Sequence, residues 1–128
     1  MKKRALRKIP TYRQENQWKV YNDCEFLNCN KIFPFQQKKV EALVGDLSRD
    51  DNVEKIVIFG SSVTNQCHAG SDVDLYVQLK EDKKLKLSSY YFTYDLWTNF
   101  NVDARMMSEI EKKGVTVYER NIASQGCL

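Results

Sequence analysis

Val53-Glu54-Lys55-Ile56-Val57-Ile58-Phe59 runs into Gly60-Ser61, and after ten further residues the chain reads Asp72-Val73-Asp74-Leu75-Tyr76-Val77-Gln78-Leu79. The first run is rich in β-branched side chains and predicts a buried strand that Gly60 ends. The second alternates without a break. Val73, Leu75, Val77 and Leu79 fall on one face, and Asp72, Asp74, Tyr76 and Gln78 on the other. A period of two aims both carboxylates at one place. Like charges that close raise each other's proton affinity unless a cation neutralises them, and a hard, oxygen-seeking ion such as Mg2+ suits such ligands. A Gly-Ser turn beside them offers N–H groups and a hydroxyl to phosphate oxygens.

A third carboxylate is expected from Asn101-Val102-Asp103-Ala104-Arg105-Met106-Met107, which also alternates. Read as a strand, it sets Asp103 on a face with Asn101 and Arg105. Arg105 is then placed to pair with a carboxylate or to meet a phosphate. Three carboxylates from two neighbouring strands can hold two metal ions, the arrangement that stabilises both attacking and leaving oxygens in nucleotidyl transfer.

Gly60-Ser61, the ten-residue gap, Asp72-x-Asp74 and the later Asp103 together resemble the DNA polymerase β-like nucleotidyltransferase superfamily. The resemblance is closest to its minimal bacterial group, which includes antitoxin partners of HEPN-type ribonuclease toxins. Lys113-Gly114-Val115-Thr116-Val117-Tyr118 is similar to that family's closing strand. The resemblance implies that Gly60 and Ser61, with Ser62 as accessory, position the β- and γ-phosphates of ATP or another nucleoside triphosphate. It implies that Asp72, Asp74 and Asp103 hold Mg2+, two ions in all, while an acceptor hydroxyl attacks the α-phosphorus. The acceptor it favours is a side chain of a HEPN-type toxin. A small-molecule hydroxyl and a non-catalytic antitoxin module that only binds its partner are the alternatives.

The implied organisation is a basic extension over residues 1–34, a nucleotidyltransferase domain over 35–120 and a tail over 121–128. The expected fold class is α/β (α+β), with a mixed sheet and helices mainly on one face. A chain of 128 residues suffices for one core. No apolar run approaches the ~20 residues of a membrane span, and the charged start lacks the apolar segment of a secretory signal. Cys24, Cys29, Cys67 and Cys127 are irregularly spaced. They are expected to be reduced thiols in a cytoplasmic protein, and with His68 they match no standard zinc spacing.

The net charge of +3 is unevenly spread. Residues 1–20 carry seven basic side chains against Glu15 alone, and the remaining 108 residues carry 13 basic and 16 acidic ones. The basic end is either a solvated terminus or an arm for RNA or another polyanion. Further elements follow from pattern. Trp18–Tyr21 and Cys24–Leu27 suggest a hairpin about Asn22-Asp23. Val40, Leu43, Val44 and Leu47 mark a helix over 35–48 that begins at Pro34. The stretch 85–97 is expected to be a second helix despite its many Tyr, Phe and Thr residues. A short helix over 108–113, capped by Ser108 with Glu111 and ended by Gly114, precedes a strand at 115–118.

Overall fold

The computed structural model describes residues 17–20 and 24–120. The basic start, the proposed turn at Asn22-Asp23, Cys127 and the tail lie outside them. Helix α1 (Pro34–Leu47) leads into strand β1 (Val53–Phe59) and a 3-10 turn (Gly60–Val63). Strands β2 (Val73–Leu79) and β3 (Tyr94–Thr98), helix α2 (Ala104–Lys113) and strand β4 (Val115–Glu119) follow. The sheet order is β3-β2-β1-β4. β1 is antiparallel to both β2 and β4, and β2 runs parallel to β3. The result is a small α+β domain on a mixed sheet, as expected.

Pro34 occupies the first turn of α1, where a missing N–H costs nothing and a fixed φ helps. The helix buries Val40, Leu43 and Leu47 against one face of the sheet. That face is built by Ile56 and Ile58 of β1 and by Val73, Leu75, Val77 and Leu79 of β2, all buried. Fully burying each such side chain is worth about 1.5–3 kcal/mol. The shorter α2 covers part of the opposite face, where Ile110, Met106 and Met107 pack on Val57, Phe59, Tyr76 and Trp97. Tyr76, on the polar side of the alternation, is therefore buried too.

Several expectations fail here. Residues 85–97 form no helix: the chain is irregular to Thr93 and then enters β3. Tyr90 stacks on Phe92 with ring centroids 5.0 Å apart, and Phe92 contacts Tyr94 at 6.5 Å. Ring contacts between residues two apart belong to an extended chain, since helical neighbours are three or four apart. Asp46 of α1 fixes the segment by accepting from the Tyr90 hydroxyl and, at 3.3 Å, from the Ser88 N–H. Those two donors hold the Asp46 carboxyl below its ordinary pKa, while burial and the Asp46 carboxylate push the Tyr90 phenol up.

The strand expected over 101–107 is also absent. Asn101 closes a turn by accepting from the Thr98 N–H at 2.8 Å. Asp103 caps α2 by accepting from the Met106 N–H at 2.8 Å. An aspartate with extended backbone before a run of helix formers is a strong N-cap, so the helix starts at Ala104 and not at Ser108. Lys112 and Lys113 in its last turn suit the helix dipole, and Gly114 ends it as expected. The described flanks of the proposed N-terminal hairpin, 17–20 and 24–27, contain no strand. Cys24, Cys29 and Cys67 are buried and in no disulfide; burial and the neighbouring Cys24 push the Cys29 thiol up to about 12. Among the described residues, no helix is long and apolar enough to cross a membrane.

Candidate active site

Asp74 lies between two strand neighbours in register. Phe59, the last residue of β1, faces it on one side and Asp95 of β3 on the other. Directly opposed residues share a sheet face, so Asp74 and Asp95 stand side by side. Below them Phe59 and Trp97 pack with ring centroids 5.7 Å apart, forming an apolar floor. Asp72 precedes β2 and accepts from the Thr93 hydroxyl. The Asp74 carboxyl is pushed up from 3.8 to about 6, first by burial, then by the Asp95 and Asp72 charges.

Gly60 completes the cluster. It leaves β1 with φ 75°, in the left-handed region that glycine tolerates best. A Cβ built there would overlap the Asp74 carboxylate oxygen, so the turn backbone lies directly against the acid. Ser61 follows, half-buried, its carbonyl accepting from the Thr64 N–H at 3.0 Å.

Ser62 is placed otherwise than expected. It is fully buried, its hydroxyl accepts from Gln36 Nε2 at 3.1 Å, and its carbonyl accepts from the Phe33 N–H at 2.8 Å. Its side chain braces the turn and does not face a ligand. The same Gln36 amide also donates to the carbonyls of Ser71 at 3.1 Å and Asp72 at 3.3 Å. One buried glutamine of α1 thus ties the Gly-Ser turn to the approach of β2.

The structure therefore brings Gly60, Asp72 and Asp74 together and adds Asp95, which sequence reasoning missed. The alternation of Tyr94-Asp95-Leu96-Trp97-Thr98 was the signal, obscured by reading the stretch as helix. Asp103 is not part of the cluster. It lies past the C-terminal end of β3, whereas Asp95 and Asp74 lie near the N-terminal ends of β3 and β2, and its carboxylate is committed to the helix cap. Arg105 moves with it onto the exposed surface of α2, and His68 Nδ1 accepts from the Gly70 N–H in a loop.

Among the described residues, no three or more His, Cys, Asp or Glu side chains form a ready metal cage. The donor chemistry nonetheless fits a hard cation. The proton affinity of Asp74 is raised first by burial and then by the Asp95 and Asp72 carboxylates, whose repulsion a divalent ion would relieve.

A glycine turn laid against in-register carboxylates at one end of a mixed sheet defines a class of small α+β domains built to handle phosphate esters. Its family is specific. The family model described as Polymerase beta, Nucleotidyltransferase matches residues 41–123, and the chain belongs to that family. Nucleotidyl transfer is accordingly its general activity, with a nucleoside triphosphate as substrate. No curated protein matches the chain.

Proposed function

We propose that this protein moves a nucleoside monophosphate, AMP from ATP, onto a hydroxyl of a partner protein, with a HEPN-type toxin as the leading acceptor. The observation that carries the reading is the in-register pair Asp74 and Asp95, with Gly60 against the Asp74 carboxylate. The N–H groups of the Gly60-Ser61 turn and the Ser61 hydroxyl would hold the β- and γ-phosphates. Asp72, Asp74 and Asp95 would hold Mg2+, with Asp95 taking the role that the sequence suggested for Asp103. When bound, the metal would supply charge neutralisation and Lewis acidity at the phosphoryl oxygens.

The acceptor oxygen attacks the α-phosphorus in line, its bond to phosphorus forms as the bond to the bridging oxygen breaks, and pyrophosphate leaves. The hydroxyl proton passes to a carboxylate, for which exposed Asp95 is placed. The rest of the chain's contribution is positioning: Gln36 holds the turn and the β2 approach in one frame. A protein acceptor is supported by the openness of the cluster, since Asp72 and Asp95 are both exposed. A side chain carried on another molecule can reach them without a walled acceptor pocket.

The test follows label from α-labelled ATP onto co-expressed candidate partners, with release of pyrophosphate. Asp74→Asn and Asp95→Asn should each lower transfer about 100-fold or more. Asp103→Asn should stay within about twofold, because asparagine caps a helix as well as aspartate. Full activity in Asp95→Asn with loss in Asp103→Asn would overturn the assignment. Absence of transfer to any hydroxyl, with the partner still neutralised, would leave a binding module.

A further inference from the structure

Beside Asp72 lies a cavity of about 290 Å³ whose walls include Lys39, Ala69, Ser71, Tyr91, Phe92 and Thr93. Nothing in the transfer chemistry above uses it. Its volume is at the low end of the roughly 300–1,000 Å³ of small-molecule sites, room for one heterocycle. Lys39 is 8% exposed. Its ammonium donates to the carbonyls of Ala69 at 3.1 Å and Ser71 at 3.4 Å and lies 6.0 Å from the centre of the Phe92 ring. No salt bridge among the described residues involves it. An ammonium has three donors, so one remains beyond the two carbonyls. Tyr91 is 79% exposed, set edge-on to Phe92 with centroids 5.1 Å apart, and it offers a free ring face.

The position of the cavity says what it takes. Gly60 abuts Asp74 on one side of the acid cluster. On the other side Asp72 accepts from Thr93, itself a wall of the cavity, and Ser71 is the residue before Asp72. Phosphate turn, carboxylates and cavity thus succeed one another across the site. A nucleoside triphosphate has the same order: the β- and γ-phosphates, the reacting α-phosphate, then the nucleoside.

We propose that this cavity is the nucleobase site of the donor and that it takes a purine, stacked on Tyr91 and accepting from Lys39 Nζ. The inference rests on the transfer reading above and extends it to the base. A purine presents N7 as an acceptor in adenine, and N7 with O6 in guanine, so one lysine donor serves either. Stacking area favours purine over pyrimidine.

Inorganic tripolyphosphate separates the base from the phosphates. Titration calorimetry with Mg2+ present would measure ATP, UTP and tripolyphosphate on wild type, Tyr91→Ala and Tyr91→Phe. Wild type should bind ATP more tightly than UTP, and both more tightly than tripolyphosphate. Tyr91→Ala should weaken ATP about tenfold, within the range of base–aromatic stacking, and leave tripolyphosphate unchanged. Tyr91→Phe should retain wild-type ATP affinity, because it keeps the ring. Equal ATP affinity in wild type and Tyr91→Ala, or equal affinity of wild type for ATP and tripolyphosphate, would overturn the base site while the transfer reading stands. Failure of wild type to bind either ligand would overturn both.

Discussion

Replacing Asp74 by asparagine should make the apo protein more stable while abolishing its chemistry. Asp74 titrates near 3.8 when unfolded and near 6 in the fold. The folded state thus holds the proton more tightly. This group favours the fold fully below about pH 4, and that contribution is lost as pH rises through about 6. Above that, the fold carries an ionised Asp74 over an apolar floor, facing Asp95 and Asp72. The gap between the two values corresponds to about 3 kcal/mol at 1.36 kcal/mol per pH unit. The side chain is partly exposed, so solvent screening brings the expected effect down to about 1–2 kcal/mol. Asparagine keeps the shape and removes the charge. Urea unfolding without divalent ions should therefore show Asp74→Asn more stable than wild type by about 1–2 kcal/mol near pH 8, with the difference vanishing near pH 4. Mg2+ with ATP should narrow the gap near pH 8 by stabilising wild type alone. Parallel stability curves for the two proteins from pH 4 to pH 8 would refute the electrostatic reasoning.

Gly60→Ala should cost about 2–3 kcal/mol by urea unfolding, from the left-handed backbone and the collision with Asp74, and should abolish tripolyphosphate binding in calorimetry. Gln36→Leu should cost about 2–4 kcal/mol in the same unfolding assay, because the Ser71 and Asp72 carbonyls lose their buried donor. Arg120→Ala should lower stability by about 2–3 kcal/mol without altering ATP affinity, since its guanidinium donates to the carbonyls of Val53, Ser48 and Asp50, away from the acid cluster.

What was legible in the sequence was what alternation encodes. Strand β1 followed from its run of β-branched residues, which is buried on both faces, and strand β2 from its period of two, so the positions of Asp72 and Asp74 followed from the pattern. Helix α1 followed from its apolar spacing and Pro34. Strand β3 was lost because Tyr, Phe and Thr are middling helix formers as well as strand formers, which hid the short alternation that begins at Tyr94-Asp95-Leu96; the Tyr90–Phe92–Tyr94 ring column shows the chain extended. Asp95 was lost with it. Asp103 was misplaced because an aspartate amid alternating residues reads equally as a strand carboxylate or a cap. Local hydrogen bonding to Met106 settles that choice, and it leaves no periodic trace. Gln36 has no sequence signal at all: its partners lie 26 to 36 residues away.

The strand order carries a consequence for synthesis. β1 is an inner strand, paired on one side by β2 and on the other by β4. A ribosome finishes β1 about 60 residues before it finishes β4, a delay of roughly 3–12 s at ordinary elongation rates. Through that interval Val53–Phe59 offers an open edge of apolar, β-branched chain, the kind of segment that pairs with copies of itself. Helix α2 emerges in the meantime and covers the face of that strand but not its edge. The nascent chain is thus most prone to aggregate in the seconds before its last described strand arrives, and a chaperone that shields strand edges would do the most good there.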